Sequence, residues 1–339
     1  MKKGGFSLKQ EIRDLFHKGI LSEAAKRHGV SVEQVRFVKD AENYVYEFER
    51  NQQPLILRIT HTIRRNPNYI MGELEWLNYL ADHGLTVSRA VPSMDGNLIE
   101  WIPAKEGRFL AIAYEKAPGK PIGKEDWNES FFQTWGAYVG RMHSLTKQYT
   151  LSNPAYKRQE WYEEEQLNLR KYVPEHQTQV MKKTEELMEK LHQLPKGKDS
   201  YGLVHADLHQ GNFHWDKGKI ITFDFDDIGY NWFMNDIAIL LYNVQWFPTV
   251  PYEDREAFVR HFFTHFMTGY RKENDLDPWW YQYIPDFLRL RHMLLYGLFH
   301  QFFDLNDLKD EEANMLKQYR YEIENETPIV NLDFTAINV

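Results

Sequence analysis

Alternating hydrophobic and polar positions predict β-strands in the first third of the chain. Residues 44–48 alternate and are aromatic or β-branched, and residues 55–59 are predicted to form a second strand after a turn at 51–54. Between 68 and 83 the apolar residues recur at helical spacing, and Gly84 follows as a C-cap. Further short strands are predicted near 90–91, 98–102 and 109–114.

Helical periodicity predominates elsewhere. Residues 8–35 are predicted to be helical, and their second half superficially resembles a helix-turn-helix in a charge context that does not suit DNA. After about residue 126, helices are predicted over 131–145 and 160–194, and again from Trp232 to the end. Residues 201–224 interrupt this pattern with short strands and loops.

The change from strands to helices coincides with a Pro/Gly-containing linker that starts at residue 115. The length of 339 residues suits two lobes, each with its own core. We therefore predict an N-lobe over 1–114, a hinge over 115–119 and a helical C-lobe over 120–339. Within the C-lobe, the apolar stretch 237–247 is too short to cross a bilayer and predicts a buried helix.

Composition excludes several classes of function. The formal net charge is −8 and no long Lys/Arg run occurs, which argues against a nucleic-acid partner. No cysteine is present, so disulfides, thiolate nucleophiles and cysteine zinc sites are excluded. The N-terminal residues lack the apolar region of a signal peptide. Together these features predict a cytoplasmic protein with no membrane partner.

The residues with the clearest chemistry lie between 205 and 224. Asp207 is followed by four residues and then Asn212, and Asp224 comes just after an apolar strand. Phosphoryl transfer requires one carboxylate that receives or orients the proton of the acceptor hydroxyl. It also requires an amide oxygen and a second carboxylate that hold Mg²⁺ against the nucleotide phosphates. The spacing matches a kinase catalytic loop followed by its metal-binding acid.

With these motifs, the chain resembles the aminoglycoside phosphotransferase family. That family has an H-x-D-L-x-x-x-N loop, an acid in an I-D-F-type triplet and a downstream D-[IL]-A. The corresponding segments here are 205–212, 222–225 and 236–238, in the same order. The resemblance covers roughly residues 36–300 and implies an α+β, bilobal protein-kinase-like fold, with a small β-rich N-lobe and a larger, mainly helical C-lobe.

The resemblance also implies roles for residues of the C-lobe. Asp207 would be the catalytic base, and Asn212 and Asp224 would be the metal ligands. Asp236 would anchor the catalytic loop by hydrogen bonds, and His205 would support the loop structurally.

The N-lobe matches the family less closely. Arg58 stands where kinases have a phosphate-binding lysine, and its expected partner is Glu73, with Glu75 as the alternative. The phosphate-covering loop would include Asn43 but contains no glycine. A P-loop motif is absent from the sequence.

The resemblance to this family also implies which nucleotide and which metal ion the protein binds. The linker that contains Glu115 and Ala117 is expected to receive adenine through its backbone groups. The expected cofactors are ATP, or another nucleoside triphosphate, and Mg²⁺, and the expected partner is a small-molecule hydroxyl acceptor. Aminoglycoside-like compounds, amino alcohols and other hydroxylated metabolites all remain open as acceptors, and so do the choice between ATP and GTP and the oligomeric state.

Other functions fit parts of the sequence. A metal-dependent hydrolase would use His205, Asp207 and His209 but leaves Asn212 unexplained. A pseudokinase would bind nucleotide with weak or no transfer. A protein kinase is disfavoured, because only twelve positions separate Asp224 from Asp236 and no A-P-E motif occurs.

Overall fold

The structure is a computed structural model that describes residues 10–244 and 255–339. The chain separates into two compact units, which are described in turn. The first comprises Met1–Gly119, Tyr149–Arg158 and Ile221–Asp226, and the second comprises Lys120–Gln148, Gln159–Ile220 and Asp227–Val339. Two short segments further along the sequence, Tyr149–Arg158 and Ile221–Asp226, therefore belong to the first unit.

An antiparallel sheet of six strands is the main element of the first unit, within the described part of the chain. The strands are β1 (Arg36–Lys39), β2 (Tyr44–Arg50), β3 (Gln53–His61), β4 (Ala90–Val91), β5 (Glu100–Pro103) and β6 (Arg108–Glu115). Their order in space is β1-β2-β3-β6-β4, and β5 also pairs with β6. Arg58 of the central strand β3 lies opposite Val45 on one side and Ile112 on the other.

Successive side chains of each strand point to opposite faces of this sheet, and helices pack against both faces. Tyr44, Tyr46 and Phe48 of β2, with Leu55, Leu57 and Ile59 of β3, form one core with helices α1 (Gln10–Leu15) and α2 (Lys18–Arg27). Arg58 points to the opposite face, as period-two alternation requires. It meets helix α3 (Pro67–Asp82) there, which begins with the Asn66 cap and a proline in its first turn.

The second unit is mainly helical. Its helices are α4 (Glu129–Thr146), α5 (Leu169–Tyr172), α6 (Thr178–His192), α7 (Phe233–Val244), α8 (Arg255–Tyr270), α9 (Ile284–Phe302) and α10 (Asp310–Glu324). Helix α7 is buried along almost its whole length and packs on α9, while α4 packs on α8.

Short strands adjoin these helices. Strand β7 (Tyr201–Val204) pairs with β10 (Gly229–Trp232) in antiparallel register, and β8 (Phe213–Asp216) pairs with β9 (Lys219–Thr222). Residues 205–212, the predicted catalytic loop with Asp207 and Asn212, lie between β7 and β8. The position of this loop is therefore set by a strand on each side.

The structure divides two segments that the sequence predicts as helical. Residues 10–35 form α1, α2 and a 3-10 turn, because the His17 side chain caps α2 and starts a new helix. Residues 160–194 contain 3-10 turns, α5 and α6. Pro174 has no backbone N–H, and the preceding Val173 is extended, so the helix cannot continue there.

Two strands are absent from the sequence-based prediction. All four residues of β1 are exposed, so the strand has no hydrophobic alternation to reveal it. Strand β10 is buried at three of its four positions and carries no polar alternation either. Of the predicted helix at 237–247, residues 237–244 lie in α7 and residues 245–247 lie outside the described residues.

None of the helices in the described ranges combines the length and the apolar character that a bilayer-spanning segment needs.

Candidate active site

The loop that follows β7 is held by a carboxylate from helix α7. Asp236 accepts hydrogen bonds from the backbone N–H groups of His205 and Ala206, at 3.0 and 2.8 Å, and its Oδ2 lies 3.2 Å from Nε2 of His143. Ala206 has a φ of +61°, in the left-handed region that costs energy for a residue with a Cβ. The two bonds from Asp236 therefore stabilise a turn that the local sequence disfavours.

Asp207 lies in this turn with a partner on each carboxylate oxygen. The Asn212 Nδ2 donates to Oδ2 of Asp207 at 3.0 Å and to its backbone carbonyl at 2.9 Å. The Arg291 guanidinium of α9 donates to Oδ1 at 2.5 Å, and Nε2 of His209 lies 3.5 Å from Oδ2. The Asp207 side chain is 22% exposed, so a substrate hydroxyl has access to a carboxylate whose orientation is fixed.

These neighbours determine the protonation state of Asp207. Burial by itself would raise the pKa of the carboxyl group. The charge of Arg291, followed by the interaction with His209, outweighs burial and holds the pKa of Asp207 well below its usual range. Asp207 is therefore a carboxylate at neutral pH and can accept a proton.

The side-chain oxygen of Asn212 takes no part in the contact with Asp207. Because its nitrogen donates both bonds to Asp207, its side-chain oxygen is the atom that can bind a cation. An amide oxygen is a hard ligand of the kind that Mg²⁺ and Ca²⁺ prefer.

The geometry of the same loop does not support a hydrolytic metal site. His205 is fully buried in the loop. Among residues 10–244 and 255–339, the groups of three or more side chains with ligand atoms close enough for one ion do not include His205, Asp207 and His209 together. These three residues therefore do not form the metal-binding site that the hydrolase hypothesis requires.

In the first unit, Arg58 forms a buried ion pair with Glu73. The Arg58 Nη2 lies 2.8 Å from Glu73 Oε2, and the Tyr114 hydroxyl donates to Glu73 Oε1 at 3.0 Å. The Arg58 guanidinium also lies over the Tyr114 ring, 5.1 Å from its centroid. Glu75 is directed elsewhere, since it accepts hydrogen bonds from the Tyr149 hydroxyl and from Ser152.

Asp226 is the centre of an arginine cluster that the sequence does not predict. Its carboxylate lies 2.6 Å from Arg64, 3.2 Å from Arg65 and 3.8 Å from Arg58, and Asn43 donates to it at 3.3 Å. Burial alone would raise the pKa of Asp226, but the three guanidinium groups outweigh burial and hold it well below its usual range. Because this carboxylate is 4% exposed and already paired with arginines, it is not available to a charged ligand.

Asp224 also belongs to the first unit but is more accessible. It follows β9 with a φ of +66°, in the left-handed region, and its Oδ2 lies 3.3 Å from Lys39 Nζ. The side chain is 35% exposed, so a carboxylate oxygen can reach an ion or a ligand. Its hard oxygen suits a divalent cation bound with phosphates.

Of the two predicted adenine-binding residues, Glu115 is the last residue of β6, and Ala117 lies just beyond the end of this strand. The Glu115 N–H donates to the Arg89 carbonyl at 2.8 Å, and Ala117 is buried with 9% exposure. Their role as a nucleotide site stays a prediction.

The structure thus groups the predicted residues within each unit. His205, Asp207, Asn212 and Asp236 lie together in the second unit, while Arg58, Glu73 and Asn43 lie around Asp226 in the first. Arg291 is missing from the sequence-based set because it is 84 residues from Asp207 along the chain and occurs in no motif. Arg64 and Arg65, which follow β3, are also missing from the sequence-based set, because no motif connects them to Asp226.

Comparison with known proteins assigns the class. A sequence model described as the phosphotransferase enzyme family matches residues 33–276, and the chain belongs to this family. The chain is 59% identical over 330 residues to a protein from Bacillus subtilis (strain 168), and the match covers 97% of this chain and 98% of that protein. The Bacillus protein is named amicoumacin kinase.

Solved structures agree with this assignment. The structure of amicoumacin kinase hAmiN in complex with AMP-PNP, Ca²⁺ and Ami is 53% identical, with a TM-score of 0.95 over 98% of this chain and 100% of that one. A microcompartment-associated aminopropanol kinase is 23% identical, with a TM-score of 0.71 over 91% of this chain and 95% of that one, and shows a shared fold.

These comparisons confirm the resemblance and the bilobal kinase-like fold, with its N-terminal antiparallel sheet and helical C-lobe. The chain is a kinase, a phosphotransferase with an alcohol group as acceptor, and it binds a nucleotide and a small-molecule substrate. The pseudokinase alternative is thereby set aside.

Proposed function

We propose that this protein transfers the γ-phosphoryl group of ATP to a hydroxyl group of amicoumacin. The likeness to an amicoumacin kinase, at 59% identity over nearly the full length of both chains, carries this proposal. The likeness to hAmiN, whose structure holds a nucleotide analogue and Ami, supports it.

In this proposal Asp207 is the catalytic base. A bond forms between the acceptor oxygen and the γ-phosphorus, the bond from that phosphorus to the bridging oxygen of ADP breaks, and the hydroxyl proton passes to an Asp207 carboxylate oxygen. Arg291 acts through Asp207, because its 2.5 Å contact favours the ionised form and fixes one carboxylate oxygen. His205 and Asp236 support the loop that carries Asp207.

The nucleotide would be bound by residues of both the N-terminal and the C-terminal parts of the sequence. Arg58, held by Glu73, would contact phosphates together with Asn43, and backbone groups at Glu115 and Ala117 would receive adenine. Asn212 and Asp224 each offer a hard oxygen and would hold Mg²⁺, which supplies charge neutralisation on the phosphates when bound. The division into an N-lobe over 1–114, a hinge over 115–119 and a C-lobe over 120–339 is part of this proposal.

A direct test uses the purified protein with ATP, Mg²⁺ and amicoumacin. We expect ADP to form in proportion to a product that is heavier than amicoumacin by one phosphoryl group. Parallel reactions with spectinomycin, an aminopropanol and choline test the acceptor, and reactions with GTP test the donor. If one of these acceptors is phosphorylated efficiently and amicoumacin is not, the acceptor assignment is wrong while the kinase assignment stands.

A further inference from the structure

A second cluster of chemically active side chains lies between two helices of the second unit. Glu129 is the first residue of α4, and His261 and His265 are four residues apart, on one face of α8. The Glu129 Oε1 lies 3.7 Å from His261 Nε2 and 3.4 Å from His265 Nε2. All three ligand atoms fall within 4.8 Å of one another.

These spacings match a metal-binding geometry. Tetrahedral zinc with bonds of about 2.0–2.1 Å places neighbouring ligand atoms about 3.3 Å apart. The two observed carboxylate–imidazole distances lie within a few tenths of an ångström of that value. The Glu129 oxygen therefore lies at ligand spacing from both imidazole nitrogens, and all three atoms are within 4.8 Å of one another.

The helices that carry the ligands are held close together by glycines. A Cβ placed on Gly136 of α4 would lie 1.8 Å from the Phe266 carbonyl oxygen, and one placed on Gly269 of α8 would lie 1.9 Å from the Gln133 carbonyl oxygen. Neither helix can carry a larger residue at these points without separating from the other. The contact fixes the distance between the helices, so the ligands are positioned before an ion binds.

The surroundings also suit an ion that exchanges with solvent. The exposed fractions of the Glu129, His261 and His265 side chains are 62%, 46% and 22%, which leaves room for water on the outer side. The buried Phe132 ring lies edge-on to His261, with 6.0 Å between the ring centroids, and forms an apolar inner wall.

We propose that Glu129, His261 and His265 form a binding site for a divalent transition-metal ion such as Zn²⁺. Two imidazoles and one carboxylate favour Zn²⁺, Ni²⁺, Co²⁺ or Cu²⁺, whereas Mg²⁺ and Ca²⁺ prefer sites made of oxygen atoms. Three protein ligands leave at least one coordination position for water. The bound ion links α4 to α8, and none of the three residues belongs to the proposed phosphoryl-transfer machinery.

The first test is calorimetric titration of the chelator-treated, tag-free full-length protein with Zn²⁺ in the absence of nucleotide. We expect one site whose affinity falls by at least about tenfold in His261→Ala and in His265→Ala, since even loss of an outer-shell partner costs about 10–100-fold. Glu129→Gln should weaken binding as well, and His176→Ala, at an exposed histidine elsewhere, should not.

Thermal unfolding gives an independent measurement. Zn²⁺ should raise the midpoint for the wild-type protein and for His176→Ala but not for His265→Ala, because ligand binding stabilises only the state that contains the site. Mg²⁺ at the same concentration should not reproduce the effect. Zn²⁺ affinity that is unchanged in both histidine variants, or an absence of Zn²⁺ binding to the wild-type protein, would overturn the proposal. Kinase activity measured with Mg²⁺-ATP should be the same in all of these variants, which shows that each of them folds.

Discussion

Arg58 and Glu73 form an ion pair with 2.8 Å between Nη2 and Oε2, and both side chains are almost completely buried. A buried charge that loses its partner is strongly destabilising, because the low-dielectric surroundings cannot solvate it. The ion pair that orients Arg58, the proposed phosphate-binding residue, therefore also contributes to the stability of the first unit.

Glu73→Gln is expected to lower the free energy of unfolding by about 3 kcal/mol, at the lower end of the range of roughly 3–5 kcal/mol for a broken buried pair. The lower end applies because Asp226 remains 3.8 Å from Arg58. The KM for ATP should rise because Arg58 loses its orientation. Denaturant unfolding and steady-state kinetics measure the two effects. Glu75→Gln is the matched control, and an equal loss of stability there would contradict the special role of Glu73.

Asp207→Asn should reduce kcat by about 10²–10⁴, the usual contribution of a general base, while the dissociation constant for ATP stays within a small factor of the wild-type value. The amide keeps the shape of the side chain but cannot take the proton. Single-turnover phosphorylation and equilibrium nucleotide binding separate the two quantities. Asp199→Asn, at a side chain that is 90% exposed, should behave like the wild type. Near-normal turnover in Asp207→Asn would remove Asp207 from the role of base.

Arg291→Gln should shift the acidic limb of the pH profile of kcat/KM to higher pH. Against the opposing effect of burial, Arg291 holds the pKa of Asp207 down, so without it Asp207 takes up a proton earlier on acidification. Arg291→Lys keeps the charge and should retain most of the effect. An acidic limb at the same pH in the wild type and in Arg291→Gln would show that Arg291 does not tune the base.

The interaction between Arg291 and Asp207 should also make the stability of the protein depend on pH. Because the folded-state pKa of Asp207 is depressed, the stabilisation is fully present above the unfolded pKa of about 4 and is lost as the pH falls through the folded-state value. The difference in unfolding free energy between the wild type and Arg291→Gln should be constant near neutral pH and should decrease below about pH 4. Urea unfolding at a series of pH values measures this difference, and a gap that widens on acidification would reverse the assigned sign.

Asp236→Asn should weaken the catalytic loop. The carboxylate accepts two backbone N–H bonds, whereas an amide turns its NH₂ group towards one of these donors. We expect the unfolding free energy to fall by about 1–3 kcal/mol and kcat to fall with it, with little change in the KM for ATP. Thermal unfolding and kinetics measure these effects. Loss of ATP binding with normal stability would contradict a purely supporting role.

Much of the proposed chemistry was accessible from local sequence. His205, Asp207 and Asn212 occur within eight consecutive residues, so one short motif identifies them together. Strand β2 and helix α3 were also predictable, because each packs one face on a core and therefore shows a regular hydrophobic period. Strand β3 is buried on both faces over much of its length and was predictable as a short apolar run after a turn. The exposed strand β1 shows no such period and was therefore not predictable.

Other relationships depended on the three-dimensional arrangement. Glu73 and Glu75 are two residues apart on α3, which places them on different sides of the helix, and only the packing on β3 selects Glu73 for Arg58. Arg291 reaches Asp207 because α9 packs in the second unit beside the loop, although 84 residues separate the two along the chain.

The sequence by itself determined the family, the order of the catalytic motifs and the residues that carry the proposed phosphoryl transfer, since contiguous residues with fixed spacing fold into a local unit. Tertiary structure decided which polar groups meet in space: Arg291 with Asp207, the three arginines with Asp226, and Glu129 with two histidines. Electrostatic energy depends on distance in space and on burial, and neither quantity is encoded in the separation of residues along the chain.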